Sequence, residues 1–330
     1  MCLMMLFAVL FTRCDCNKPK PPVNDTTRHA VTTTIKAPEF DADTAFVFVK
    51  KQFDFGPRIP NTTSQTKCAA WLEKKLEAYC SDVVVQKTSI KVYDGHMVPC
   101  INLIASFNPK NQKRILIFAH WDTRPWSDQD AAIKNKPFDG ADDGGSGVGI
   151  LLEMARQFQM KLPDVGVDIA LFDVEDYGPP EYETKWDETD QYALGTQYWC
   201  KNPHVKDYKA YYGILLDMTG AKNAVFSWEE TSRYYAADVL NNVWSIAQQE
   251  GYSNFFVKQN VNGVIDDHYY VNKMNGTPCI DIINMNSPNG KSFAPHWHTQ
   301  QDNMNVIDRN TLKAVGQTLM QVVYQEKGSY

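Results

Sequence analysis

Acidic and imidazole side chains recur at one kind of place in this chain, directly after short apolar runs. His120 and Asp122 stand in AHWD, Asp143 in GADDGGSG, Glu175 and Asp176 in DVEDYG, Asp217 in LLDMTG and His298 in HWHTQQDN. Zinc is held by His, Asp, Glu and Cys in a tetrahedral shell, with one corner left open where the ion is catalytic. These residues supply that donor set. Taken singly each is weak, because an Asp after a strand is more often a helix cap or a solvated turn residue. His29, His96 and His204 stand alone and carry no ligand signal. Two choices stay open within the set: Asp142 adjoins Asp143, and His296 is a near rival of His298.

Positioning such a set requires a frame. Arg114 to Ala119, Val167 to Phe172, Tyr212 to Leu216 and Cys279 to Ile283 are short, β-rich apolar runs. Helical patterns fall between them, at Ser146 to Phe158 and Ser232 to Gln249. Strands buried on both faces and separated by helices read as a mainly parallel sheet. Two further strands are expected at Val83 to Tyr93 and Ile101 to Phe107. An amphipathic stretch from Phe46 to Phe55 runs into Gly56-Pro57, and a helix follows from Ser64 to Tyr79. Its apolar stripe is Cys68, Trp71, Leu72, Leu76 and Tyr79. A last helix, Asp308 to Gln325, aligns Leu312, Val315, Leu319 and Val322. The fold class is therefore α/β, one domain with a central, mainly parallel mixed sheet flanked by helices. The candidate ligands fall beyond the carboxyl ends of its strands, where open α/β sheets bind their ligands.

The motifs in order are HWD, Asp-Gly-Gly-Ser-Gly, a Glu followed by a second acid, strand-Asp-Met, Asp-Asp-His and His-Thr-x-x-Asp-Asn. From about Phe55 to Asp308 that order resembles the zinc-peptidase clan that includes M28 aminopeptidases and glutaminyl cyclases. The resemblance implies one of two chemistries. In the cyclase version one zinc ion is held by Asp143, Asp176 and His298. Glu175 then acts as the catalytic acid and base, Asp217 and Asp267 share its proton network, and Trp297, Phe293 and Trp186 wall the substrate. In the aminopeptidase version two zinc ions share a bridging aspartate among His120, Asp143, Asp176, Asp217 and His298. His120 and Asp122 are otherwise supporting residues. Every ligand of the two-zinc version is present, so the ligands alone do not choose. Trp297 does favour the cyclases, because peptidases commonly carry tyrosine or another residue there. The leading expectation is thus conversion of N-terminal glutamine of peptides to pyroglutamate with release of ammonia; the alternative is a two-zinc aminopeptidase. A non-catalytic binding protein on the same scaffold would be expected to have lost ligands, and none is lost. One departure stands out: the second acid is Asp176 rather than Glu, one methylene shorter.

The chain has 330 residues, 43% hydrophobic and 22% charged, with a net charge of -6. Without a basic footprint, nucleic acid is excluded as the expected partner, whereas peptides remain suitable. Residues 1–16 read as a signal or lipoprotein-like segment with Cys14 as the lipidated residue, or as a signal cut to leave a soluble periplasmic protein. Residues 17–38 read as a flexible tether and 39–330 as the catalytic domain. The protein is expected to be exported, periplasmic or anchored to a membrane by lipid, and monomeric. Beyond the leader, Cys68, Cys80, Cys100, Cys200 and Cys279 form no CxxC pair, and their odd number leaves at least one thiol free.

Overall fold

In the computed structural model the described residues are 35–184, 190–286 and 293–328. The leader, Cys14 and Trp186 lie outside them.

Six strands form the central sheet: β1 (Val83–Lys91), β2 (Met97–Phe107), β3 (Arg114–His120), β4 (Gly166–Phe172), β5 (Tyr212–Asp217) and β8 (Cys279–Ile283). Their spatial order is β1-β2-β4-β3-β5-β8. The β4, β3, β5 and β8 strands run parallel, and the β1–β2 hairpin joins antiparallel to β4. The expected mainly parallel mixed sheet is present. Alternation within β3 shows why its run is continuously apolar. Ile115, Ile117 and Ala119 enter one core, while Leu116 and Phe118 enter a second core with Phe172 and Trp199.

The larger core is covered by α1 (Ala42–Phe53), α2 (Thr63–Tyr79), α3 (Gly145–Met160), α5 (Glu230–Gln249) and α7 (Arg309–Gln325). Across the sheet lie α4 (Leu194–Lys201) and α6 (Asp267–Tyr270), the latter continuing as a π-helix over Val271–Asn275. Side chains cap five of these helices: Asp41 for α1, Thr62 for α2, Glu229 for α5, Asp266 for α6 and Asp308 for α7. Each such cap is worth about 1 kcal/mol. Sequence periodicity foretold α2, α3, α5 and α7 closely. It missed α4, α6 and the small parallel pair β6 (Phe226–Trp228) and β7 (Phe256–Asn260).

The expected tether needs a correction at its end. Gln321 on α7 donates to the Ile35 carbonyl at 2.8 Å and accepts from the Ala37 N–H at 3.0 Å, and Gln317 accepts from Phe40 at 2.9 Å. Two buried glutamines thus pair the extended backbone, and the packed chain reaches back to Ile35 rather than beginning at residue 39.

Candidate active site

The carboxyl ends of β3, β4 and β5 carry His120, the Asp173–Asp176 turn and Asp217 respectively. The turn before α3 adds Asp143, and the chain leading to α7 adds His298. Gly144, which opens α3, takes φ +75°, and a Cβ there would lie 2.8 Å from the His120 ring. The Asp-Gly-Gly turn is therefore a steric requirement for seating Asp143 beside His120.

Three donors converge. His298 Nε2 lies 3.4 Å from Asp143 Oδ2 and 3.3 Å from Asp176 Oδ2. Both oxygens are buried without a hydrogen-bond partner. Two carboxylate oxygens and an imidazole nitrogen, all within 4.8 Å of one another, make a group fit for a cation. The N/O donor set is what zinc takes. Burial alone would depress the basicity of His298, but the Asp176 carboxylate overrides it and pushes the imidazole up to about 9. The site is organised to attract positive charge. A second group adjoins it, sharing Asp143: His120 Nε2 is 3.1 Å from Asp143 Oδ1 and 3.3 Å from Asp217 Oδ1.

Residues 102–323 match the model of peptidase family M28. The chain belongs to that family. Among solved structures, a glutaminyl cyclase from Tannerella forsythia is 48% identical, with TM-score 0.86 over 88% of this chain and 100% of that one. A Zn-dependent exopeptidase from Parabacteroides distasonis matches with the same identity, TM-score and coverage. Aminopeptidase YwaD of Bacillus subtilis is 26% identical over 68% of this chain. The match takes in only 44% of that aminopeptidase's length, and 65% of the length of a curated glutaminyl-peptide cyclotransferase from Gloydius blomhoffii. The chain thus carries an M28-family site with His/Asp clusters able to hold metal.

The open rivalries within this M28 site have structural answers. Asp142 is fully engaged elsewhere, accepting from Gly220 N–H at 2.7 Å and pairing with His296 Nε2 at 2.8 Å. Asp143 and His298 are left to face each other. Asp122 does not line the cavity; its two oxygens accept from the Glu175 and Asp176 N–H groups at 3.0 and 3.2 Å, holding that turn in place.

A cavity of about 360 Å³ opens over the donors. Glu175, Asp217, Phe293, Trp297 and His298 line it. Trp297 stacks on His298 with centroids 3.9 Å apart and contacts Phe293 at 4.5 Å, giving one aromatic wall. On the acid side, burial holds Glu175 well above the ordinary carboxyl range; His120 opposes this, and Asp266, Asp176 and Asp267 reinforce it. Asp217 is pushed up to about 8 by burial, against a hydrogen bond from His120 and with help from Asp266.

One expected residue is displaced by a step. Asp266, not Asp267, lines the cavity. Asp266 is the N-cap of α6, and Asp267 is the first helical residue and wholly buried. Asp266 is extended and Asp267 opens the helix, and of the two only Asp266 lines the cavity. Sequence reasoning also missed Arg124, Asp128 and Tyr192. Arg124 and Tyr192 line the cavity, and Asp128 Oδ1 sits 3.4 Å from His298 Nδ1. Behind Asp266, His268 Nδ1 and both Asp281 oxygens are buried and unpartnered, and with Asp266 they form a third group of metal-type donors. Acceptors facing acceptors in that pocket must share protons or a cation.

Proposed function

We propose that this protein is a zinc-dependent glutaminyl-peptide cyclotransferase acting on peptides and proteins with N-terminal glutamine, with one zinc ion held by Asp143, Asp176 and His298. The observation that carries the reading is the wall made by Phe293, Trp297 and His298 facing Glu175 across a small cavity. Solved relatives at 46% and 48% identity, from Bacteroides thetaiotaomicron and Tannerella forsythia, bear the name glutaminyl cyclase, which supports the same choice. The substrate's own α-amine is the nucleophile, so no water need be activated.

The bound zinc would supply Lewis acidity toward the side-chain amide carbonyl of the glutamine. Glu175 takes a proton from the α-amine as the new C–N bond closes the five-membered ring. It returns that proton to the departing side-chain nitrogen, which leaves as ammonia while the old C–N bond breaks. A carboxyl with raised basicity suits both halves of this shuttle. Asp217 and Asp266 stand beside it to share and orient protons. Phe293 and Trp297 hold the glutamine side chain folded back toward its own amine, and closing a ring already within one molecule removes much of the entropic barrier.

The shared placement of Asp143 between two donor groups favours a second reading, a two-zinc aminopeptidase using His120 and Asp217 for the second ion. The purified protein, incubated in parallel with Gln-initiated and Leu-initiated peptides, separates the two by mass spectrometry. Loss of ammonia from the Gln peptide alone supports the cyclase, and loss of the first residue from the Leu peptide overturns it.

A further inference from the structure

Arg124 lies at the cavity wall, 1% exposed, and its guanidinium is fully committed. Its Nε and Nη2 donate to Asp128 Oδ1 and Oδ2 at 3.1 and 2.6 Å. Its Nη1 donates to the Asp176 carbonyl at 3.1 Å and to Asp176 Oδ1 at 3.3 Å, and Nη2 also reaches the Pro179 carbonyl at 2.9 Å. Asp128 Oδ1 then stands 3.4 Å from His298 Nδ1. One cation therefore touches Asp176 directly and His298 through a single carboxylate.

We propose that Arg124 and Asp128 form a clamp that sets the affinity of the zinc centre by orienting two of its three ligands, Asp176 and His298. The clamp rests on the assignment of zinc to Asp143, Asp176 and His298. A carboxylate accepting from Nδ1–H leaves the imidazole lone pair on Nε2, the nitrogen that faces Asp143 and Asp176. Arg124 occupies Oδ1 of Asp176 and leaves Oδ2 free toward the same point. The clamp also accounts for the short second acid. With one methylene fewer than Glu, Asp176 reaches the ion only if its backbone is held close. Asp122 holds its N–H and Arg124 its carbonyl, from opposite sides. Both clamp residues position ligands and touch neither substrate nor reacting atoms in the steps above.

The test is zinc affinity, measured by competition with a chromophoric chelator on the full chain after metal removal, for wild type, Asp128→Asn and Arg124→Lys. In Asp128→Asn the amide oxygen is drawn to the Oδ2 position, where Arg124 Nη2 and the Glu181 N–H both donate. The amide NH2 then faces His298 Nδ1 and forces the ring proton onto Nε2, the wrong tautomer for a ligand. Arg124→Lys keeps the charge but loses the planar fork. Both variants are expected to bind zinc roughly 10- to 100-fold more weakly. The cobalt(II)-substituted Asp128→Asn protein should show altered d–d absorption, which a merely destabilised fold would not produce. Arg124→Gln strands a buried carboxylate and is liable to misfold, so it is not the variant of choice. Affinities within twofold of wild type with an unchanged cobalt spectrum would overturn the clamp while leaving the centre intact. A wild-type protein that binds no zinc would overturn the centre and the clamp together.

Discussion

Replacing Glu175 by glutamine isolates the proton shuttle from everything else in the cavity. The amide is isosteric, so the aromatic wall and cavity volume are kept. Glu175 does not belong to the Asp143–Asp176–His298 group; its Oε2 lies 3.9 Å from His120 Nδ1. Zinc content should therefore stay at the wild-type level. A positioned acid/base contributes roughly 10²- to 10⁴-fold. At 1.36 kcal/mol per factor of ten, the barrier should rise by about 3–5 kcal/mol. The pH profile adds a second readout. Burial keeps Glu175 well above its ordinary value, with His120 pulling against it and Asp266 with it. The proton-accepting form thus accumulates as pH rises, and wild-type turnover should climb along an acid limb that the variant lacks. The assay is ammonia release from a Gln-initiated peptide across pH, paired with metal analysis of the same samples. Turnover within tenfold of wild type with zinc retained would remove Glu175 from the mechanism. Loss of zinc alongside activity would mean that Glu175 serves the metal instead.

Trp297→Ala should raise KM for Gln peptides and lower kcat/KM while leaving zinc content unchanged, since the indole stacks on the His298 ring without being a donor; steady-state kinetics with metal analysis decide this. Asp266→Asn should cut turnover about tenfold or more, because a cavity-lining acid leaves the proton network. Asp267→Asn, off the cavity, should alter mainly thermal stability, and the reverse ranking would restore Asp267 to the chemistry. Glu229→Gln tests acid stability. His268 and the N–H groups of Thr231 and Ser232 outweigh burial and hold Glu229 down at about 2, against an ordinary 4.5. A depressed carboxyl stabilises the fold above its unfolded value and loses that contribution as pH falls from 4.5 toward 2. The contribution is worth about 3 kcal/mol, so melting temperatures between pH 5 and 3 should fall less steeply in the variant than in wild type.

What the sequence made legible was decided by length and periodicity. In β3 and β4 nearly every residue is buried, which is why unbroken apolar runs marked them. The apolar stripe of α7 spans 17 residues, enough for its period to declare itself. By contrast β6 has 3 residues and finds its partner β7 about thirty positions on, so no local pattern announces it. The start of α4 is hidden for another reason: it follows Ala193 in the left-handed region, with no capping side chain to signal entry. Among site residues, those directly following strands were found because topology fixes where they must point. Asp128 lies in a polar loop and resembles any surface acid until the fold brings it against His298. Asp266 and Asp267 share one motif and one residue type, and only the helix that begins between them assigns one to the cavity.

The backbone around the candidate ligands is itself strained, and the strain has a direction. Val174, Met218 and His298 all take positive φ, at 57°, 48° and 52°. For β-branched Val174 this is a true outlier, and each such residue costs roughly 1–3 kcal/mol unless its surroundings enforce it. Around Val174 they do: Leu194 N–H donates to the Val174 carbonyl at 3.0 Å, Ala193 N–H to the Glu175 carbonyl at 2.9 Å, and Asp122 grips the next two N–H groups. The strained residues immediately precede Glu175, immediately follow Asp217 and include His298, so the unfavourable torsions sit where the chain must turn acids and an imidazole inward. A scaffold that stabilises this turn from both sides gives a fixed base and fixed ligands to either hydrolysis or cyclisation. The wall then discriminates between them. A peptidase must admit water next to Glu175, whereas a cyclase needs its substrate's amine there. An indole packed flat on the His298 imidazole, with Phe293 against it, gives the cavity an aromatic face on which a glutamine side chain can pack beside its own amine. The identity of residue 297 therefore bears more on the reaction than the presence of a further donor group at His120 and Asp217.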